Sequence, residues 1–389
     1  MSGNPKRKIN IAFNEIGGDL WTGGITYINN LKKSLRKYFP DTELYIITQN
    51  SNKYINDDYD GIISFNTTSS RFFGIVNRIF RSRFNYDRNL KSSVKSFNKK
   101  IDIIFPSEYS TGKSPQSILW IPDFQILRLP EFFNKKEITE YKKHIIKSIK
   151  KSPLIVLSSH DAQNDFKEFY PDFAEKTRIM QFVAHVPESI YDKNPNETLK
   201  RYNIPSKFIY MPNQFWAHKN HLLVLEALKI LKGKGIEPFF VLTGNPTDYR
   251  NPKHIIDILD KINKYGLRDQ IALLGFVDHS DVYSLIRQSV CVCNPSLFEG
   301  WSTPVEEVKS VGKSILLSDL PVHLEQSPPG AIYFDRFSKE DLSEKLSEIW
   351  LNKSAGPDLK MEKKARELLP TRMEVFGKNF LSILSEIVD

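Results

Sequence analysis

The sequence has little cysteine and no long apolar segment. Its two cysteines, Cys291 and Cys293, lie in the run VCVCNP, so both side chains fall on one face of a strand. Zinc needs more ligands than two, and we interpret them as core thiols of a protein in a reducing compartment. No apolar run approaches the ~18 residues that cross a bilayer, and MSGNPKRK leads into a strand without an apolar signal region. We expect a cytoplasmic protein.

Positive charge is concentrated in one part of the chain. The formal net charge is +9, and residues 71–100 contain five Arg and four Lys against one Asp, which is 9 − 1 = +8. This distribution predicts one basic patch rather than a surface with general affinity for nucleic acid. We therefore expect no nucleic-acid partner.

Apolar residues interleave with the arginines of the basic stretch, RFFGIVNRIFRSRFNYDRNLK. The arginines concerned are Arg71, Arg78, Arg81 and Arg83. An amphipathic helix of this kind can lie on an anionic membrane, which would place the protein on the inner face of the plasma membrane. A helix with a core face and a solvated basic face, or one that binds an anionic acceptor directly, explains the pattern equally well.

Apolar runs typical of β-strands alternate with helical stretches along all 389 residues, which predicts two α/β domains with parallel sheets. We place a Rossmann-like domain at 1–186, a linker at 187–205, a second Rossmann-like domain at 206–370 and a C-terminal helix at 371–389 that packs back toward the first. The linker is rich in proline and asparagine. The predicted strands are INIAF, ELYIIT, DIIF, SILWI, LIVLSS, IMQFV, FIYMP, FFVLTG, IALLGFV, VCVCNP, SILLSD and AIYFD.

The segment NPSLFEGWSTPVEEV, residues 294–308, follows a strand and opens a helix. Thr303 suits the N-cap, Pro304 the first helical position, and Thr303 with Glu306 forms a capping box. Free N–H groups and the dipole at such an end attract phosphate. Glu299, in the loop before the helix, can accept hydrogen bonds from sugar hydroxyls, and Glu307 can hold a ribose diol. Two surface glutamates beside a well-capped helix are the simpler alternative.

The pattern Glu299-x7-Glu307, with Gly300 and Pro304 between, resembles the signature of the retaining family 4 glycosyltransferases, also called glycosyl transferases group 1. Residues 273–326 follow the order of that family's C-terminal domain. The sequence departs from the family at Trp301, Ser302 and Thr303, which replace the more usual aromatic residue, Gly and Leu. The resemblance implies the GT-B fold, two Rossmann-like domains that face each other across a cleft.

A second resemblance concerns the segment NQFWAHKNH. Here the family carries an Arg and, five residues later, a Lys, which together hold the diphosphate. Lys219 matches the Lys and Gln214 replaces the Arg, as in a variant found in surface-polysaccharide members. An exposed lysine at a helix start is the plain alternative. The resemblance also places the loops at Gly244, Phe276 and Val277 near the nucleotide, although ends of core strands would look the same.

Four residues of the first half are further candidates. Gly23 and Gly24 stand where the family has a Gly-rich loop near the donor phosphate and the acceptor. Asp123 and His160 each follow a predicted strand. Asp123 is a candidate catalytic residue and His160 a candidate substrate contact, but caps or turns would use the same residue types.

The resemblance implies a retaining hexosyltransferase. It would move a sugar from a nucleoside diphosphate, UDP or GDP, to a glycan or to a polyprenyl-diphosphate-linked acceptor in surface-polysaccharide (O-antigen) synthesis. Glu299 and Lys219 would act on donor sugar and diphosphate, and we predict no metal and no other cofactor. Two alternatives stay open: a sugar-nucleotide epimerase on the same fold, and a non-catalytic binder of anionic membrane or nucleic acid.

Overall fold

The structure is a computed structural model that describes residues 8–16, 22–64 and 87–388. The basic stretch with Arg71, Arg78, Arg81 and Arg83 lies outside these residues. The chain forms two compact units. The first consists of Met1–Phe124, Lys135–Phe182 and Met373–Asp389, and the second of Gln125–Asn134 and Val183–Arg372.

The strands, numbered along the described chain, agree with most of the predicted ones. They are β1 Asn10–Asn14, β2 Glu43–Thr48, β3 Gly61–Ser64, β4 Ile103–Phe105, β5 Gln116–Ser117, β6 Leu119–Ile121, β7 Ile155–Leu157, β8 Thr177–Ile179, β9 Ile209–Met211, β10 Phe240–Thr243, β11 Ile271–Gly275, β12 Val292–Asn294, β13 Ile315–Ser318 and β14 Ala331–Phe334.

Three strand predictions need correction. The strand β3 was not predicted, because its run GIIS is short and begins with glycine. The predicted strand SILWI is divided between β5 and β6, which belong to different sheets. The predicted strand IMQFV is wrong for most of its length, since β8 ends at Ile179 and the residues that follow form a loop.

The helices are α1 Thr22–Tyr38, α2 Arg88–Ser96, α3 Gln125–Arg128, α4 Lys135–Lys151, α5 His160–Phe169, α6 Ser189–Asp192, α7 Pro195–Tyr202, α8 His221–Gly233, α9 His254–Lys264, α10 His279–Gln288, α11 Thr303–Val311, α12 Pro321–Gln326, α13 Lys339–Asn352 and α14 Leu359–Leu384. Residues 187–205, predicted as a linker, carry the short helices α6 and α7 within the second unit. No helix of the described chain is long and apolar enough to cross a membrane.

The first unit contains two parallel sheets, in the orders β3-β2-β1-β4-β5 and β6-β7-β8. Its inner strands are runs such as IIF and IVL, which suit positions buried on both faces. The end of α14 belongs to this core, where the ring of Phe380 lies 5.0 Å from that of Phe105. At the same helix the Ser34 hydroxyl donates to the Met373 carbonyl at 2.5 Å.

The second unit has one parallel sheet in the order β11-β10-β9-β12-β13-β14. Counted from β9 as the first strand, this is the 3-2-1-4-5-6 order of a dinucleotide-binding Rossmann domain. Its hydrophobic core lies between the sheet and helices that include α8 and α13; the members include Ile209, Met211, Leu225, Leu228, Phe240, Cys291, Cys293, Leu316, Leu342 and Leu346. Both cysteines are buried free thiols, as predicted, and burial raises the pKa of Cys291 to about 12.

Candidate functional site

The strand order of the second unit changes direction between β9 and β12. In open parallel sheets, ligands bind beyond the carboxyl ends of the strands at this point. The loop after β9 carries Gln214 and Lys219, and the loop after β12 carries Glu299. The topology therefore brings together two candidate residues that lie 80 positions apart in the sequence.

Lys219 and Glu299 form an ion pair. Lys219 Nζ donates to Glu299 Oε1 at 2.6 Å, and the two side chains are only 12% and 9% exposed. Lys219 ends the 3₁₀ turn Ala217–Lys219, just before α8, rather than opening the helix itself. The Ser296 hydroxyl lies 2.7 Å from the same Oε1 atom and donates to it. Two candidate residues predicted separately thus form one charged, hydrogen-bonded group.

Glu299 is held as a carboxylate. Burial, the largest single influence, raises the pKa of Glu299. The charge of Lys219 and the hydrogen bonds from Lys219 and Ser296 outweigh it, so the pKa of Glu299 is lowered from its usual value. The group is therefore an acceptor, ready for hydroxyl or ammonium donors.

Helix α11 begins differently from the prediction. Its N-cap is Ser302, not Thr303, and the Ser302 hydroxyl makes no bond to the helix because Asn294 Nδ2 donates to it at 2.8 Å. Asn294 Oδ1 in turn accepts from Asn213 Nδ2 at 3.1 Å and from the Ser296 backbone N–H at 3.4 Å. Asn294 thus joins the loops after β9 and β12 to the helix start, a role that sequence reasoning missed.

The predicted capping box is wrong. Glu306 does not reach back to Thr303, because Gln326 Nε2 donates to Glu306 Oε1 at 3.3 Å and the Arg372 guanidinium pairs with the other oxygen. Gln326 also receives the Ser302 N–H at 3.2 Å and donates to the Ser302 carbonyl at 3.0 Å. Side chains from α12 and α14 therefore fix the start of α11, and Glu306 is structural.

Glu307 lies on α11 with its side chain 7% exposed. His279, at the start of α10, places its Nε2 atom 2.7 Å from Glu307 Oε1. The imidazole is 55% exposed and its ring lies 4.7 Å from that of Tyr283. Glu307 is therefore held at one oxygen by an exposed histidine that sequence reasoning did not connect with it.

Gly244, at the end of β10, permits a close approach of backbone to backbone. It has φ +132°, and a Cβ atom there would lie 2.6 Å from the Asn213 carbonyl oxygen and 2.8 Å from the Gln214 Cα atom. The prediction assigned this space to a ligand; the structure fills it with the loop that carries Gln214 and Lys219. That loop is also tied by the Phe215 N–H, which donates to the Asn245 carbonyl at 3.0 Å.

A buried ion pair next to this loop was not predicted from the sequence. Arg250 Nε donates to Asp248 Oδ1 at 3.0 Å, and the Ala217 N–H donates to Asp248 Oδ2 at 3.0 Å. The Arg250 guanidinium lies over the Trp216 ring at 5.0 Å. Asp248 and Arg250 thus fix the 3₁₀ turn that ends at Lys219. In the segment TGNPTDYR, only the presence of two opposite charges pointed to this ion pair.

The remaining candidates of the second unit lie around these loops. Gly300 is buried and Trp301 half-buried, directly after Glu299. Phe276 is 59% exposed and Val277 half-buried, in the loop between β11 and α10. The loop after β11 leads to His279 and hence to the Glu307 side of the site.

The candidates of the first unit lie at the ends of its strands and helices. Gly23 and Gly24 are in the first turn of α1, and Asp123 is half-buried in the loop after β6. His160 is the exposed first residue of α5, where the hydroxyl of the N-cap, Ser159, accepts from the Ala162 N–H at 2.9 Å. Their contact with substrate stays a prediction.

The sequence contains one feature often associated with metal-binding transferases, the Asp-x-Asp tripeptide Asp58-Tyr59-Asp60. Both carboxylates pair with Arg36, at 3.3 Å and 2.9 Å. Within the described part of the chain, no group of three or more His, Cys, Asp or Glu side chains is arranged to hold a metal ion.

Comparison with known proteins agrees with this geometry. Residues 196–368 match the family model described as glycosyl transferases group 1. The match covers 173 of the 389 residues and lies within the second unit. It contains Lys219, Glu299 and Glu307.

Among curated proteins, the gpi3 subunit of phosphatidylinositol N-acetylglucosaminyltransferase from Schizosaccharomyces pombe is 25% identical over 155 residues, which is 36% of this chain and 33% of that protein. The match therefore spans a third of the relative's length.

Solved glycosyltransferase structures cover nearly the whole chain. One from Rickettsia africae is 17% identical, with a TM-score of 0.69 over 98% of this chain and 99% of that one. HepE from Anabaena, in complex with UDP and glucose, is 13% identical, with a TM-score of 0.70 over 97% and 100%. The likeness to these structures over the length of the chain confirms the predicted GT-B fold class.

Proposed function

We propose that the chain is a retaining glycosyltransferase that moves a hexose from a nucleoside diphosphate to a hydroxyl acceptor. The observation that carries this proposal is the buried Lys219–Glu299 pair at the point where the strand order changes, beside the start of α11. An ammonium and a helix N-terminus suit a diphosphate, and a carboxylate suits sugar hydroxyls. A nucleotide-sugar presents these groups in sequence.

Different residues of the site bind different parts of the donor. Lys219 and the N–H groups of the first turn of α11 bind the diphosphate and stabilise the charge that develops as it departs. Glu299 orients the sugar, and Glu307 holds the ribose diol with its second oxygen while His279 holds the first. Trp301, Phe276 and Val277 border the nucleotide.

In the transfer step, the bond between the anomeric carbon and the diphosphate oxygen breaks. The acceptor oxygen bonds to the same face of that carbon, and its proton goes to the departing diphosphate. Asp123 is the candidate contact for the acceptor hydroxyl, and Gly23, Gly24 and His160 are candidate contacts from the first unit. Positive charge comes from Lys219 and the helix dipole, so we propose that transfer proceeds without a metal.

The relatives narrow the proposed substrates. HepE was solved with UDP and glucose, which favours a UDP-hexose over a GDP-hexose as first choice. The yeast relative is named for transfer to phosphatidylinositol, a lipid acceptor. We therefore propose a lipid-linked or growing surface glycan as acceptor, reached by a cytoplasmic protein through the basic stretch around Arg78 and Arg81.

The decisive experiment has two stages. A thermal-shift panel of UDP-, GDP-, ADP- and dTDP-sugars identifies the donor, because a bound ligand raises the unfolding temperature. The donor is then supplied with polyprenyl-diphosphate-linked glycan, with and without EDTA, and the anomeric configuration of the product is read by NMR. An inverted product contradicts the retaining mechanism, and loss of transfer in EDTA contradicts metal independence.

A matched pair of variants ties the activity to the site. Glu299→Gln should abolish most transfer, whereas Glu344→Gln, at an exposed position on α13, should leave it unchanged. Steady epimerisation of the donor without acceptor would instead favour an epimerase.

A further inference from the structure

His323 is a fully buried histidine on α12, and the hydrogen bonds around it identify its tautomer. Its Nδ1 atom lies 3.0 Å from the Ser318 carbonyl oxygen, which can only accept, so Nδ1 carries the proton. The Ser318 hydroxyl donates to the Ser296 carbonyl at 2.7 Å and does not compete for this role. Burial lowers the pKa of His323 to about 4, so the ring is neutral near pH 7 and Nε2 is a bare acceptor.

Among the residues that the structure describes, this acceptor has no hydrogen-bond partner, although His323 is 0% exposed. An unpaired buried acceptor is costly, and in native structures it calls for an explanation such as a missing ligand. Rotation of the imidazole would not remove this cost, because it would break the hydrogen bond from Nδ1 to the Ser318 carbonyl at the end of β13.

The position of the ring connects it to the donor site. The Ser318 carbonyl accepts from His323 Nδ1, and the Ser318 hydroxyl donates to the Ser296 carbonyl. The Ser296 hydroxyl in turn donates to Glu299 Oε1. Burial has the largest influence on the pKa of His323; after it, Glu299 raises this pKa and Lys219 lowers it, so the ring is within electrostatic reach of both. Glu299 and His323 are therefore connected through Ser296 and Ser318, and each presents an acceptor atom.

We propose that His323 Nε2 accepts a hydrogen bond from a hydroxyl of the transferred sugar, beside the hydroxyl that Glu299 accepts. The inference rests on the proposed function and extends it. It assigns the donor to sugars that carry two neighbouring hydroxyls on the face turned toward α12. The proposal requires that Lys219 leave Glu299 to meet the diphosphate and that a sugar hydroxyl reach the buried imidazole when the donor binds.

The test compares the binding of a nucleoside diphosphate with that of the corresponding nucleoside-diphosphate sugar. Both carry the base whose sugar raises the unfolding temperature of the wild-type protein in the thermal-shift panel. Calorimetry gives the affinity of each for wild type, His323→Phe and His323→Gln. His323→Phe should lower the affinity for the nucleotide-sugar by roughly tenfold, equivalent to about 1.4 kcal/mol, and leave the affinity for the nucleoside diphosphate unchanged. His323→Gln, which keeps an acceptor, should recover part of the loss. Equal affinity ratios in wild type and His323→Phe overturn the proposal.

A ligand-side test needs no variant and so does not depend on the folding of His323→Phe. Monodeoxy analogues of the donor sugar are bound to the wild-type protein. Two adjacent positions should each cost roughly tenfold in affinity. If no single deoxygenation weakens binding, the proposal is wrong while the transferase function stands; if no nucleotide-sugar binds at all, both fall.

Discussion

Lys219 and Glu299 neutralise each other in the ligand-free chain, and this pairing affects how a donor binds. A diphosphate has to draw the Lys219 ammonium away from a carboxylate 2.6 Å distant. Part of the positive charge that would attract the diphosphate is therefore already neutralised by Glu299. Gln214, in place of the arginine of the resembling family, adds no charge of its own.

Glu299→Gln should separate nucleotide binding from transfer. Because Lys219 loses its counter-charge, we expect the affinity for the nucleoside diphosphate alone to rise by up to about tenfold. Transfer should fall by at least about a hundredfold, since the sugar loses its carboxylate. Calorimetry with UDP and a radiolabelled transfer assay measure the two effects. Weaker UDP binding in the variant would show that the ion pair positions Lys219 rather than occupying it.

Buried neutral histidines make stability depend on pH. Burial lowers the pKa of His323 to about 4 and that of His221 to about 3. Between pH ~6.5 and these values the unfolded chain binds protons that the folded chain does not, so the free energy of unfolding falls as the pH falls. A shift from 6.5 to about 4 corresponds to about 3 kcal/mol for His323. Urea denaturation between about pH 7 and 5 should show a shallower slope for His323→Phe than for wild type; parallel slopes would contradict a neutral ring.

At the scale of elements, the start of α11 is set by tertiary contacts. Ser302→Ala leaves the buried Asn294 amide without the acceptor it has at 2.8 Å. We expect a loss of about 1–3 kcal/mol in the free energy of unfolding. Thr303→Ala changes a residue next to the N-cap and leaves the contacts of Ser302 in place, so it should cost less than about 0.5 kcal/mol. Urea denaturation of the two variants decides the matter; the reverse order would restore Thr303 as the cap.

The loop that carries Lys219 depends on Gly244. Gly244→Ala places a methyl group 2.6 Å from the Asn213 carbonyl oxygen and forces the loop to move. We expect the affinity for the nucleoside diphosphate to fall by about tenfold or more, together with a lower unfolding temperature. The control is Gly235→Ala, which shares a positive φ, +71°, but meets nothing within 4 Å. Similar loss of binding in both variants would assign the effect to backbone strain in general.

These elements show what the sequence could predict. Strands buried on both faces of a parallel sheet, such as VCVCNP and SILLSD, are largely apolar, so their positions along the chain and the α/β class follow from the local pattern. The choice between Ser302 and Thr303 does not, because Asn294 and Gln326 decide it from other elements. The Lys219–Glu299 pair was predicted as two residues, but its contact depends on which strands are neighbours. His323 gave no local signal, since only its tertiary partners reveal the unpaired nitrogen.

On the scale of the whole molecule, the chain crosses between its two units more than once. Gln125–Asn134 belongs to the second unit although it lies inside the first unit's sequence, and Met373–Asp389 belongs to the first. The predicted C-terminal helix at 371–389 is the end of a longer one, α14, which begins at Leu359 and contains Pro370. The earlier part of α14 also buries apolar side chains, Ala365 and Leu369, but the sequence prediction placed only the apolar end in a helix of its own.

The end of α14 should determine the stability of the first unit. Phe380 is fully buried, with its ring 6.3 Å from that of Phe13 and 5.0 Å from that of Phe105. Phe380→Ala removes this packing and should lower the local free energy of unfolding by about 3–5 kcal/mol. Val375, on the same helix, is 48% exposed, and Val375→Ala should change the local free energy of unfolding by less than about 0.5 kcal/mol. Hydrogen exchange of the β1 and β4 amides measures both. If exchange there is unaffected by Phe380→Ala, the helix end is dispensable for the sheet, and the first unit is complete without Met373–Asp389.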